Sequence, residues 1–382
     1  MKPFISYGRQ FIDEDDEAAV LAALRSDFLA QGPATRTFED DIASYVGARR
    51  CVAVSSATAG LHLAMAALEL ADGEGITSPN TFVATSNAMA YVGLDPVFVD
   101  IDPETFNLSP AATRTAITER TRLIAPVHFA GLPADMEALS SVAGDHDLAM
   151  IEDAAHAIGS EYRSGGRVGN GRFSAMTVFS FHPVKSMTTG EGGAITTNDD
   201  ALYERLMLLR SHGITRDPTR LAQAPGPWWY EQQSLGFNYR MTDIQAALGS
   251  SQLRKLDRFA DRRRAIISRY RVELSGLSWL SLPTDAGDQR VCYHLFVARF
   301  DFAALGRTRA EVMAALAAEG VGSQVHYIPV YRQPWYVARQ GDQADRFPAA
   351  ETYYDQCLSL PLYPAMTNED VERVIAAVRG LV

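Results

Sequence analysis

Between Cys51 and Asn198, short apolar runs alternate with amphipathic helical stretches, and few folds accommodate that alternation. The pattern predicts strands at 51–54, 75–78, 97–100, 123–127, 148–151, 176–181 and 194–196, with helical segments such as 60–70 and 135–143 between them. Strands separated by helices predict an α/β architecture with a mostly parallel central sheet covered on both faces. Ligands of such sheets gather at the carboxyl ends of the strands, so residues just after a strand are the ones to examine. A loop-rich stretch at 217–237, containing Pro225-Gly226-Pro227-Trp228-Trp229-Tyr230, interrupts the pattern. One long helix from Thr242 to about Leu274 is expected next, then segments at 293–299 and 324–328, a helix near 309–319 and a last helix from Asn368. The reading is a large unit, residues 1–255 with an N-terminal arm, and a smaller C-terminal α+β unit, residues 256–382.

Composition matters at two points. The formal charge of −11 disfavours a nucleic acid polymer as partner, although a local basic pocket could still hold one phosphate or nucleotide. Of 35 basic residues only Lys2, Lys185 and Lys255 are lysines; the rest are arginines. Lys2 is terminal, with mobility expected there. Lys255 falls among charged residues in QLRKLDRFADRRR and is expected on a solvated helix face. Lys185 follows the apolar run Val178-Phe179-Ser180-Phe181-His182-Pro183-Val184 and precedes a glycine-rich turn. There it either snorkels to the surface or has an amine that is neutral or covalently engaged. Three cysteines far apart (Cys51, Cys292, Cys357), no apolar signal core and no run near the roughly 18 apolar residues of a membrane span lead to a cytoplasmic expectation without membrane association.

Three further constellations stand at strand ends. Val54-Ser55-Ser56-Ala57-Thr58-Ala59-Gly60 passes from a strand into a helix through small and hydroxyl residues, either as an ordinary Ser/Thr cap or as a cradle for one phosphate at the helix N-terminus. Asp153, in Ile151-Glu152-Asp153-Ala154-Ala155-His156, either caps a turn or meets a cationic partner such as a protonated heteroaromatic nitrogen, with His156 near a ring substituent. Strand alternation puts Ser180 and His182 on one face, near Lys185. With Phe82 as a flat aromatic, these are the parts a pyridoxal phosphate enzyme uses: a lysine that forms a Schiff base and an acid that keeps the pyridine nitrogen protonated. The glycines at 165–171 precede a strand, so the dinucleotide fingerprint of a nicotinamide-dependent dehydrogenase fails on context. Neither a Walker A sequence, an HExxH nor a nucleophile elbow occurs, and no metal site is expected.

The segments SSATAGLHLA, IEDAAHAIGS, FSFHPVKSMTTGEGG and LGFNYRMTDIQAALG resemble the DegT/StrS-type nucleotide-sugar aminotransferases, from about Tyr7 to the C-terminus. The resemblance implies a fold-type I, aspartate aminotransferase-like architecture, pyridoxal phosphate and a homodimer with a shared active site. Residue by residue it makes Lys185 the Schiff-base lysine, Asp153 the partner of the pyridine nitrogen and His156 the contact of the ring hydroxyl. Ala57, Thr58 and Ser180 become phosphate binders, Phe82 the stacking aromatic and Asn238 the residue that reaches the phosphate from the partner subunit.

Within the family, FVATSNAMAYVG, HFAGLPADM, WWYEQQSLGFNYRMTDIQAALG and HYIPVYRQPWY resemble the transaminases of the pseudaminic acid pathway. That implies transfer of an amino group from glutamate to C4 of a UDP-linked 4-keto-6-deoxy-N-acetyl hexosamine, giving UDP-4-amino-4,6-dideoxy-N-acetyl-β-L-altrosamine. A transaminase acting on another nucleotide-linked sugar, such as UDP-4-keto-L-arabinose, is the neighbouring alternative. Candidate sugar or nucleotide contacts are Tyr7, His182, His212, Arg240, His326 and Tyr327; ordinary loop packing would also explain them. Dehydratases of the same fold are implied to carry histidine where this chain has Lys185. A regulator that holds the cofactor without turnover is the alternative from another class.

Overall fold

The computed structural model describes residues 3–70 and 72–382, so Lys2 lies outside the described residues. Seven strands build the central sheet: β1 (Arg50–Val54), β2 (Gly73–Thr77), β3 (Leu94–Phe98), β4 (Thr121–Ala125), β5 (Ala149–Asp153), β6 (Met176–Ser180) and β7 (Gly193–Thr197). Their spatial order is β1-β7-β6-β5-β4-β2-β3; β7 runs antiparallel to β1 and β6, and the remaining pairs are parallel. Each strand expected from the apolar alternation is present. The largest displacement is at β3, which begins three residues early, at Leu94, and contains Pro96. A proline discourages a strand reading, yet β3 lies at the sheet edge, where the missing N–H costs no ladder bond.

Helices α1 (Glu14–Leu24) and α2 (Pro33–Val46) precede the sheet, and α3 (Ala57–Ala67) and α4 (Ala84–Tyr91) follow β1 and β2. The period-two alternation of the strands divides the core. Val52, Val54, Ile151, Val178 and Ile195 face α3 and α4. Cys51, Ala53, Met150, Phe179 and Ala194 face the opposite way, against Phe38 and Ile42 of α2 and Leu139 and Val142 of helix Met136–Asp145. Truncating a fully buried side chain such as Phe38 would cost about 3–5 kcal/mol.

A second core gathers around the antiparallel strands Leu280–Ser281, Phe296–Phe300 and Cys357–Leu360, with helices Arg309–Ala318 and Asn368–Arg379. Ile5 belongs to this core, tied by the Ile5 N–H to the Gly320 carbonyl and the Gly322 N–H to the Ile5 carbonyl. The segment 324–328 forms a single bridge, Gln324 to Ser359, instead of a strand. All three cysteines are buried and unpaired. Among the described residues no helix is long and apolar enough to cross a membrane.

Two expectations need correction. The long helix from Thr242 is two helices, Asp243–Leu253 and Leu256–Leu274, broken at Arg254-Lys255. Lys255 is not on a solvated face: its side chain is 9% exposed and its ammonium pairs with Asp13 and, at 2.8 Å, with Asp16. The break accounts for the difference, because it turns Lys255 toward α1, which packs on helix Asp243–Leu253 and presents the acidic cap of its first turn.

Candidate active site

A cavity of about 690 Å³ opens where β5 and β6 end and α3 begins. Its walls come from distant parts of the chain, and several short-range devices fix them. Ser56 caps α3, its hydroxyl accepting the Ala59 N–H at 3.1 Å, while the Gly60 N–H bonds the Ser56 carbonyl. The N–H groups of Ala57 and Thr58, in the first turn, have no partner within the helix and carry the positive end of its dipole. Ser180 pairs with Gly193 on β7, and a Cβ on Gly193 would lie 2.7 Å from the Ala57 nitrogen. The bare glycine therefore lets α3 start against the sheet beside the Ser180 hydroxyl. The result is a concave set of N–H and O–H donors suited to one phosphate.

Lys185 follows β6 through a turn closed by the Lys185 N–H on the His182 carbonyl, 2.9 Å. The fully buried Arg263 holds this loop from the second helix of the broken pair, reaching the carbonyls of Lys185, His294 and Leu362 at 3.4, 3.2 and 3.0 Å. Lys185 is half-buried, lines the cavity and makes no ion pair among the described residues. Burial pushes its amine down to about 8, partly offset by the charge of Asp153. The amine is then uncharged far more often than that of an ordinary lysine, which is what a nucleophilic or proton-moving lysine requires.

Asp153, the last residue of β5, is 5% exposed. Both of its carboxylate oxygens are engaged: Oδ1 accepts the Ala155 N–H at 3.0 Å and Oδ2 accepts the Thr85 hydroxyl at 2.6 Å. Nearby, His156 accepts the Ala130 N–H on Nδ1 at 3.3 Å. The neutral ring then carries its hydrogen on Nε2, which donates to the Tyr327 oxygen at 3.1 Å and leaves the phenol O–H free to donate. Burial, reinforced by the charge of Lys185, drives His156 and His294 well below the usual imidazole range and His326 to about 3. Three neutral imidazoles thus surround the lysine.

Of the sequence-derived candidates, Tyr7, Ala57, Thr58, Phe82, Asp153, His156, Ser180, His182, Lys185, His326 and Tyr327 line this one cavity. Tyr7 is set there by its carbonyl, which accepts the Leu362 N–H at 3.1 Å, and its ring lies 5.2 Å from that of His326. Phe82 is 59% exposed, its ring free on the cavity wall. Three candidates are not brought to it. Asn238 and His212 are exposed elsewhere, and Arg240 lines a separate cavity of about 700 Å³ with Arg36, Arg210, Arg216 and Arg220. Residues 238–240 bridge to Ser211 and to Val54 at the end of β1, beside Ser55 and Ser56 of the cavity wall, but their side chains are not part of its lining. Sequence reasoning missed Ser55, Ser56, Thr81, Glu191 and His294, which also line the cavity, and Thr85 behind Asp153. Only Ser55 and Ser56 had a local signal, since they lie within the small-residue run that was read for a phosphate.

Residues 10–379 match the family described as the DegT/DnrJ/EryC1/StrS aminotransferases. The chain is 40% identical over 383 residues to the spore coat polysaccharide biosynthesis protein SpsC of Bacillus subtilis, covering 99% of this chain and 97% of that one. Among solved structures it is similar to Helicobacter pylori PseC, an aminotransferase involved in the biosynthesis of pseudoaminic acid, with a TM-score of 0.92, 30% identity and 99% of each chain covered. It is also similar to the PLP form of the putative sugar aminotransferase Spr1654 from Streptococcus pneumoniae, with a TM-score of 0.90, 29% identity, and 99% and 100% of the two chains covered.

Proposed function

Because the chain belongs to the DegT/DnrJ/EryC1/StrS aminotransferase family, a family of pyridoxal phosphate-dependent sugar aminotransferases, we propose that it moves the amino group of glutamate to C4 of a UDP-linked 4-keto-6-deoxy-N-acetyl hexosamine. The product would be UDP-4-amino-4,6-dideoxy-N-acetyl-β-L-altrosamine, and the reaction would run in the cytoplasm, where three unpaired cysteines stay reduced. One observation carries the aminotransferase reading: an unpaired lysine with its amine near 8 shares a cavity with a hydrogen-bonded carboxylate and an open helix N-terminus.

The donor set fits pyridoxal phosphate. Lys185 would hold it covalently, Ala57, Thr58 and Ser180 would take its phosphate, Asp153 its ring nitrogen, and Phe82 its face. His156 would approach the ring hydroxyl. When bound, the cofactor supplies a carbonyl that exchanges amines and a protonated ring that withdraws electrons. The chain's own contribution is proton traffic. The uncharged Lys185 amine would take the proton from Cα of glutamate, whose amino group would stay with the cofactor while its carbon skeleton leaves as 2-oxoglutarate with an oxygen from water. It would later deliver a proton to C4 of the sugar, whose keto oxygen leaves as water. Tyr7, His182, His326 and Tyr327 would orient the sugar from the cavity wall.

We read the assembly as a homodimer in which Asn238, with His212 and Arg240, serves the partner's cavity; the exposure of Asn238 and His212 outside their own cavity supports that reading. Residues 1–255 would form the cofactor unit and 256–382 the smaller unit. A second reading, another nucleotide-linked 4-keto sugar such as UDP-4-keto-L-arabinose, stays beside the first, because identity is 40% to SpsC, named for spore coat polysaccharide biosynthesis, and 30% to PseC.

Protein reconstituted with pyridoxal phosphate should turn visibly coloured and lose that colour with glutamate. Offered the two keto-sugars in parallel, it should aminate the hexosamine at least tenfold faster. Equal or reversed rates would sink the substrate assignment, and absence of colour would sink the cofactor role of Lys185.

A further inference from the structure

The acid of the cavity is held from behind by a chain of hydroxyls that no motif announces. Thr85 lies in the first turn of α4, fully buried, and its Oγ1 is 2.6 Å from Asp153 Oδ2. That separation is on the scale of a hydroxyl donating to an ionised carboxylate, about 2.5–2.7 Å. Thr81, 2% exposed, has its Oγ1 3.1 Å from that of Thr85. A threonine carries one hydroxyl hydrogen. With the Thr85 hydrogen committed to Asp153, the hydrogen between the two threonines comes from Thr81. The direction is therefore Thr81 to Thr85 to Asp153. On the other oxygen, the Ala155 N–H pins Oδ1 at 3.0 Å. Two donors on two oxygens fix the carboxylate plane and leave its remaining lone pairs to the cavity. Thr81 also immediately precedes Phe82, so the same chain ties the aromatic wall to the acid.

We propose that Thr85, relayed from Thr81, is a positioning residue that orients the Asp153 carboxylate toward the ring nitrogen of the cofactor. The proposal rests on the reading above that Asp153 takes that nitrogen. Thr85 touches neither cofactor nor substrate; it acts through Asp153. Removing its hydroxyl leaves the carboxylate pinned at Oδ1 alone, free to rotate, and weakens the nitrogen contact without deleting it.

The test uses full-length protein loaded with pyridoxal phosphate, in four forms: unaltered, Thr85→Val, Thr85→Ser and Asp153→Asn. Two quantities are read, the dissociation constant of the cofactor and the pH midpoint of its visible absorbance. Thr85→Val, which keeps the shape, should weaken cofactor binding about tenfold, the lower end for a hydrogen bond to a charged group. It should also move the midpoint in the direction that Asp153→Asn moves it, by a smaller amount. Thr85→Ser, which restores the hydroxyl, should return both. If Asp153→Asn shifts both quantities while Thr85→Val matches the unaltered protein, or if Thr85→Ser behaves like Thr85→Val, the inference is overturned and Thr85 is a packing residue. If Asp153→Asn leaves both unchanged, the role of Asp153 itself fails first. Should Thr85→Val not fold, Thr85→Ala replaces it under the same criteria.

Discussion

Lys185 and Lys255 are the two lysines of the protein interior, and their surroundings are opposites. Lys255 sits at a helix break with carboxylates on both sides, and its hydrogen bond holds the Asp13 carboxyl below the usual range. Lys185 has no ion pair among the described residues and faces a cavity. The carboxylate whose charge reaches it, Asp153, is already engaged by Thr85 and the Ala155 N–H, so burial wins and the amine falls to about 8. A buried lysine is therefore no chemical signal by itself. The signal is burial without a committed counter-charge, beside donors that await an anion.

The comparison breaks most visibly at Lys185. Lys185→Ala should lower single-turnover amino transfer by about three to four orders of magnitude, the upper scale for losing a proton-transfer group, with little change in thermal stability. A variant that turned over normally would make Lys185 no different in kind from Lys255. Lys255→Met should do the reverse. It leaves the buried Asp16 without its counter-charge, while the part-exposed Asp13 keeps Arg258 at 3.6 Å. The loss should be about 3 kcal/mol in chemical denaturation, the lower end for a broken buried pair, with the rate per folded molecule unchanged.

A smaller effect separates the two through pH. Without cofactor, Lys185 binds its proton less readily folded than unfolded, since its amine falls from 10.5 to about 8. Between pH 8 and 10.5 the unfolded chain therefore carries the extra proton, and stability should climb with pH across that window, by about 1–2 kcal/mol after solvent screening. Below pH 8 both states are protonated and this contribution is flat. Lys185→Met should abolish the climb, and Lys255→Met should keep it. Denaturation curves of the apo-protein at several pH values read the slope directly.

How much of this could be read from sequence follows from the range of each interaction. The seven strands were legible because five-residue runs with opposite-facing neighbours are a local pattern, and Lys185 and Asp153 were legible because they stand just past such runs. Thr85 was not: its partner is 68 residues away, and a threonine in a helix's first turn looks the same whether or not a carboxylate lies behind it. His294 enters the cavity from the C-terminal half with no spacing to flag it. Lys255 was misplaced because helical periodicity runs smoothly through 253–259, and only the packing of α1 reveals the break. Arg240 and His212 were grouped with the cavity by the company they keep along the chain, whereas Arg240 lines the neighbouring cavity and His212 lines neither.

The smallest expected effect sharpens the comparison most, because it asks why either position is lysine in a chain that otherwise uses arginine. Lys255→Arg keeps the charge opposite Asp13 and Asp16 and adds a bulkier fork to a site that is 9% exposed. Crowding should cost about 1 kcal/mol, the lower end for an overfilled interior, with amino transfer intact. Lys185→Arg should leave the fold equally sound and abolish transfer, because a guanidinium stays charged and forms no stable imine with a carbonyl. The pair of substitutions is chemically identical, so any difference belongs to the sites. If Lys255→Arg also lost transfer while remaining folded, the helix break at Lys255 would be coupled to the cavity, through the Arg263 bridge to the Lys185 carbonyl, and the two lysines would belong to one machine.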